Sequence, residues 1–172
     1  MTTPPFAPVT DADIAVVSSQ LGRPARGVVG IAARCVCGNP TVVATSPRLP
    51  DGTPFPTFYY LTHPAATAAM STLEATQVMN ELTDELAADE QMRSAYVAAH
   101  EAFLRDRSGF GEVPEIDGIS AGGMPVRVKC LHALAGHALA AGPGVNPIGD
   151  AALSRGSWSP ERCECAEPGS SA

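Results

Sequence analysis

Aromatic side chains are scarce in this chain: they make up 5% of its 172 residues, with a single tryptophan. A core built with so few rings must be packed mainly from Ala, Val and Leu, which favours helices that approach one another closely. Basic residues are also few, 11 Lys and Arg against 18 Asp and Glu for a net charge of −7, and they are scattered. Nucleic acid and membrane are therefore not expected as partners, because neither electrostatic footprint is present. No apolar run approaches the roughly 20 residues that a membrane helix requires. The start, Met1-Thr-Thr-Pro-Pro-Phe6, has no charged residue leading into an apolar stretch, so no signal peptide is expected. These absences point to the cytoplasm, where five cysteines read as thiols or metal ligands before they read as disulfides.

The length suits one domain that buries a core without disulfide staples. Residues 1–10, rich in proline and threonine, read as disordered. Asp11 caps a short helix that Gly22 closes. Gly27–Cys35 reads as a strand, Cys37-Gly-Asn-Pro40 as a turn, Thr41–Thr45 as its hairpin partner and Thr57–Leu61 as a third strand. The proline-rich segment between them, Ser46–Pro56, reads as an ordered loop. From Thr62 the period is helical to about Arg107, with breaks near 80–83 and 89. Tyr96, His100 and Phe103 fall on one stripe of the last of these helices. A glycine-rich linker, 108–119, leads to a central helix opened by Pro125 and stopped by Gly142-Pro143. On that helix Cys130, Leu134 and His137 share a face that excludes His132. A short last helix to Leu153 and a flexible polar tail, 156–172, complete the chain. The expected architecture is a single α+β domain over 11–155, a small antiparallel sheet of about three strands packed against four to five helices.

Four long motifs occur in a fixed order: Arg48-Leu-Pro-Asp-Gly-Thr-Pro-Phe-Pro-Thr-Phe-Tyr-Tyr-Leu-Thr62, Ala99-His-Glu101, Gly122-Gly-Met-Pro-Val-Arg-Val-Lys-Cys-Leu-His132 and Gly144-Val-Asn-Pro-Ile-Gly-Asp150. Together they resemble a family of high-GC bacteria catalogued as domain of unknown function 501, over roughly residues 12–155. The resemblance implies no reaction. It implies a setting near genes for enolase, a septum-formation protein and an exopolyphosphatase. Cys35, His63, Cys130 and His137 fall within the resembling region, whereas Cys163-Glu-Cys165 lies outside it.

Three kinds of site suit these residues. The first is metal: Cys35, His63, Cys130 and His137 make a mixed thiolate and imidazole set suited to tetrahedral zinc. A variant pairs Cys35-Val-Cys37 with Cys163-Glu-Cys165, but CxC is less typical of structural zinc than CxxC. A loose tail with exposed thiols is the preferred reading of those residues. The second site is for a small anionic ligand, where Gly122 and Gly123 bring backbone close at a helix start and Arg127 and Lys129 add charge. In the third, Cys130 acts with His137 or His100 on a phosphorylated or acyl substrate. His132 belongs to the same neighbourhood. The leading expectation is a zinc- or anion-binding protein. The alternatives are an enzyme and a scaffold for a protein partner in cell division or envelope assembly.

Overall fold

The structure, a computed structural model, describes residues 6–165. The expected disorder of residues 1–5 and the last part of the tail, 166–172, lie outside the described residues. The first helix, α1 (Asp11–Leu21), opens on a reciprocal cap in which Thr10 and Asp13 each accept the other's backbone N–H, and Gly22 closes it. Three antiparallel strands follow in the order β1 (Val28–Arg34), β2 (Pro40–Thr45) and β3 (Tyr59–Leu61). Every residue of the central strand β2 is buried. Its side chains alternate between two clusters: Val43 joins Ile31 and Val17 of α1 on one face, while Val42 and Ala44 belong to the main core on the other.

Five more helices cover that main face: α2 (Pro64–Glu74), α3 (Val78–Ala88), α4 (Glu90–Ser108), α5 (Leu131–Ala141) and α6 (Pro147–Arg155), with a 3-10 turn at Pro114–Ile116. The fold is α+β, as the sequence indicates, with six helices among the described residues rather than four to five. No helix among the described residues is long and apolar enough to cross a membrane. α5 is the central helix, packed against β3, α2 and α6. It is buried on nearly every side through Leu131, Leu134, Ala135, His137 and Ala138. α6 crosses it so closely that a Cβ at Gly149 would stand 2.2 Å from the Leu134 carbonyl oxygen. Small residues at this crossing take the place of aromatic bulk.

Tyr96 and Phe103 of α4 are buried with His100 half-buried beside them, the stripe expected from their spacing. One turn further on, buried Arg107 donates to the carbonyls of Pro56, Ile116 and Ile119 at 3.0, 2.8 and 2.5 Å. It ties the 109–120 connection to the end of the 46–56 loop. That loop is ordered, as expected, by its own backbone bonds, Leu49 N–H to the Thr53 carbonyl and Gly52 N–H to the Leu49 carbonyl.

Two boundaries differ from expectation. The break after α2 falls at 75–77 rather than 80–83. The central helix begins at Leu131 rather than at Pro125, which follows a cis peptide in a loop. In that loop the Gly122 carbonyl accepts the Lys129 N–H and the Gly123 carbonyl accepts the Arg127 N–H, so the chain doubles back before α5 starts. The two ends also behave differently from expectation. Ala7 bridges to Ile31, Phe6 packs on Phe58 and Phe110, and Trp158 is buried in the main core. Residues 156–165 therefore return to the body of the domain rather than trailing away.

Candidate metal centre

β1 ends at Arg34, and the chain reverses through Cys35-Val-Cys-Gly38 into β2. The Gly38 N–H closes this turn on the Cys35 carbonyl at 2.8 Å, and the Cys35 N–H meets the Asn39 carbonyl at 2.8 Å. Gly38 has φ +94°, a conformation that side chains with a Cβ resist, so glycine is required two residues after the first cysteine's neighbour. Alternation alone would send Cys35 and Cys37 to the same side; here the turn brings both sulfurs to one edge. Trp158, the only tryptophan, anchors the returning C-terminal segment beside His63, with ring centres 5.4 Å apart. A turn closed by the Arg162 N–H on the Ser159 carbonyl then aims Cys163 and Cys165 at the β1–β2 reversal.

The sulfurs of Cys35, Cys37, Cys163 and Cys165 all lie within 4.8 Å of one another, close enough to hold a metal ion. Cys37 and Cys165 approach to 3.4 Å. Four sulfurs around a tetrahedral ion with bonds of about 2.3 Å stand about 3.8 Å apart, so only small adjustments separate this cluster from a coordination sphere. All five cysteines of the chain are free thiols. Cys35 is buried and Cys37 and Cys163 are exposed, which leaves the cluster open to an ion from solvent.

The groups around the sulfurs act on them unequally, favouring the thiolate at Cys37 and opposing it at Cys35 and Cys165. The Asn39 backbone N–H holds the Cys37 thiol down to about 7, the largest of the influences on it. Burial pushes Cys35 up, against the Cys37 backbone N–H, which acts to lower it. Burial likewise pushes Cys165 up to about 12, with the Asn39 side chain opposing. Without a cation the two deeper thiols keep their protons; a divalent ion reverses that preference, because coordination deprotonates a thiol outright. His63 supplies one more donor. As the cap of α2 its Nδ1 accepts the Ala66 N–H at 3.4 Å, so Nε2 carries the hydrogen and points it at Cys165 Sγ, 3.3 Å away. Burial lowers the His63 pKa and keeps the ring neutral. His63 thus supports the Cys165 sulfur through its N–H, as outer partners do for the ligands of metal sites.

The expected set of Cys35, His63, Cys130 and His137 is not assembled. Cys35 and His63 meet at the cluster, but Cys130 and His137 are elsewhere. His137 is fully buried, stacked on Tyr59 with ring centres 5.4 Å apart, and Asn146 donates to its Nδ1 at 3.1 Å. Burial pushes its pKa down to about 4, so it is a neutral packing group. Cys130 precedes α5 in extended conformation, which breaks the stripe it was expected to share with His137. Its neighbours are instead His132 and Glu74. His100 Nδ1 lies 2.7 Å from Ser120 Oγ and fixes the approach to the glycine loop.

The anion reading also changes. Because α5 starts six residues after Pro125, Gly122 and Gly123 supply none of its first-turn amides; Gly122 packs against the helix start, and both carbonyls are turned inward to amides of residues 127–130. Arg127 and Lys129 are exposed. The Arg127 carbonyl accepts the Tyr96 hydroxyl at 2.8 Å, a bracing contact. The two CxC pairs are visible in the sequence, but the polar composition after residue 155 favours a loose tail over a shared site. The signal against that was Trp158, a large apolar side chain in a segment otherwise polar.

A family model described as "Protein of unknown function (DUF501)" matches residues 31–154, which include Cys35 and Cys37 but stop short of Cys163 and Cys165. No curated protein and no solved structure matches the chain. The match covers well over half of the sequence, and the chain belongs to the DUF501 family.

Proposed function

We propose that this protein binds one zinc ion through Cys35, Cys37, Cys163 and Cys165, and that the ion clamps the C-terminal segment to the end of the sheet. The observation that carries this reading is the convergence of four sulfurs within 4.8 Å of one another. Four thiolates complete a tetrahedron and leave no position for substrate, so the ion's role is structural. All-sulfur tetrahedral sites suit zinc or iron, and zinc alone has no redox chemistry to be controlled. Such a site requires reduced cysteines, which agrees with a cytoplasmic location.

Elemental analysis of untagged protein, purified without chelator, tests the reading. About one zinc per chain is expected, falling to background in a Cys163→Ser/Cys165→Ser double variant. The matching absorbance spectrum should lack the visible bands of an iron–thiolate centre. Wild-type protein that folds without bound metal, and takes none up when zinc is added, would sink the proposal.

A further inference from the structure

We propose that Cys130, His132 and Glu74 form a second site, a nucleophilic cysteine paired with a histidine base, which accepts an acyl group from a small, mainly apolar ester or thioester. This site is separate from the zinc cluster and does not depend on it. The three side chains each offer one atom within 4.8 Å of the others. A cavity of about 280 Å³ lies beside them, lined by Cys130 and His132 together with Tyr59, Tyr60, Leu61 and Thr67.

The histidine is oriented on both nitrogens. The Thr67 carbonyl, which can only accept, stands 3.2 Å from Nε2, so that nitrogen carries a hydrogen; Ser71 Oγ is 3.1 Å from the same atom. Nδ1 is then the position that gains or loses a proton, and Glu74 Oε1 lies 3.1 Å from it. Glu74 also accepts the Leu131 N–H at 2.7 Å, which locks α2 to the start of α5 and holds the carboxylate in place. The Cys130 contact is the largest influence raising the His132 pKa to about 9, with Glu74 adding to it and burial opposing. His132 is thereby held as the imidazolium, the charge state that pairs with a cysteine thiolate. Lys129 is next in the chain and exposed, while Tyr59 in the cavity wall is kept neutral by burial.

Cys130 occupies the N-cap position of an eleven-residue helix and makes no cap hydrogen bond with its side chain. In the first half-reaction the Cys130 sulfur attacks the carbonyl carbon, a C–S bond forms and the bond to the leaving group breaks. The leaving group takes the proton from His132. Water then attacks the thioester, His132 takes its proton, and the C–S bond breaks to release the acid and restore the thiolate. The net change is hydrolysis, with water as the second reactant.

The test uses the full chain as purified and reads each cysteine separately by peptide mapping, so the four clustered thiols do not obscure Cys130. A short iodoacetamide pulse at about pH 6 should label Cys130 at least about tenfold faster than an ordinary thiol with a pKa near 8.5. That rate should stay nearly flat to about pH 8, whereas in His132→Gln it should rise with pH as for an ordinary thiol. With p-nitrophenyl acetate, the acetyl mass should be found on Cys130, and nitrophenolate release should fall to background in Cys130→Ser. An ordinary-thiol pH profile at Cys130 in the wild type overturns the proposal without reference to any variant. So does acetylation that avoids Cys130, or equal turnover in Cys130→Ser. A protein without zinc that still shows the Cys130 reactions would overturn only the metal reading, and the reverse result only this one.

Discussion

Stripping the metal should lower the melting temperature substantially, and the size of the effect follows from the loop that the cluster closes. Cys37 and Cys165 are 128 positions apart. A cross-link across that span restricts the unfolded chain by about 5 kcal/mol in the chain-entropy treatment. For a chain of this length each kcal/mol is worth about 2–4 °C, so removal of the ion should lower the midpoint by about 10–20 °C. The helical signal at room temperature should survive, because the helices pack on an apolar core that includes Trp158 and lies apart from the cluster. Only the segment beyond Trp158 should loosen, which trypsin reports by cutting at the exposed Arg162. Circular-dichroism melting with and without a chelator is the assay, run on the wild type and on Cys163→Ser/Cys165→Ser. The double variant should start at the lower midpoint and ignore the chelator. A wild-type shift below about 2 °C, with metal loss verified, would refute the reasoning. So would a double variant that responds to chelator as the wild type does.

Three further outcomes test the frame around the site. The Asp13 carboxylate bonds Arg34, which lies next to Cys35, at 2.7 Å, and this contact holds its pKa down at about 2. A depressed carboxylate contributes fully above its unfolded value near 3.9 and loses that contribution as pH falls from about 4 to about 2. With the Arg34 side chain 32% exposed, Asp13→Asn should cost about 1–2 kcal/mol at neutral pH and only a small fraction of that near pH 2, where the folded carboxyl is about half protonated, read by urea titration at both. Arg107→Met would leave the carbonyls of Pro56, Ile116 and Ile119 without their donor; a loss of about 3 kcal/mol or more is expected, and under about 1 would contradict its bracing role. Gly149→Ala must force α6 away from α5 and should cost about 1–3 kcal/mol in chemical denaturation, whereas a neutral result would mean the helices part without strain.

Much of this architecture was legible from local chemistry. Strand β2 is an uncharged β-branched run flanked by turn residues, and it is found almost where its pattern put it. The Tyr96, His100 and Phe103 stripe needed only helical spacing. The family was also legible, because its long motifs stand in order along the chain. Other features depended on distance in space. Pro125 looks like a helix start, but the preceding glycines and the inward-turned carbonyls make a loop there, and α5 begins six residues later. That shift removed Cys130 from the stripe of His137 and gave it His132 and Glu74 instead.

Local propensity determined the sheet, most of the helices and the turn that presents Cys35 and Cys37, because each depends on neighbours within a few residues. Tertiary packing decided which thiols meet. Cys163 and Cys165 belong to a short polar stretch with no periodicity, and nothing local fixes where it ends. One buried indole, Trp158, sets that path through contacts with His63 and the main core, which lie far away in sequence. A thiol cluster made from distant parts of the chain is a property of the folded surface, because its members share a place in space and not a segment.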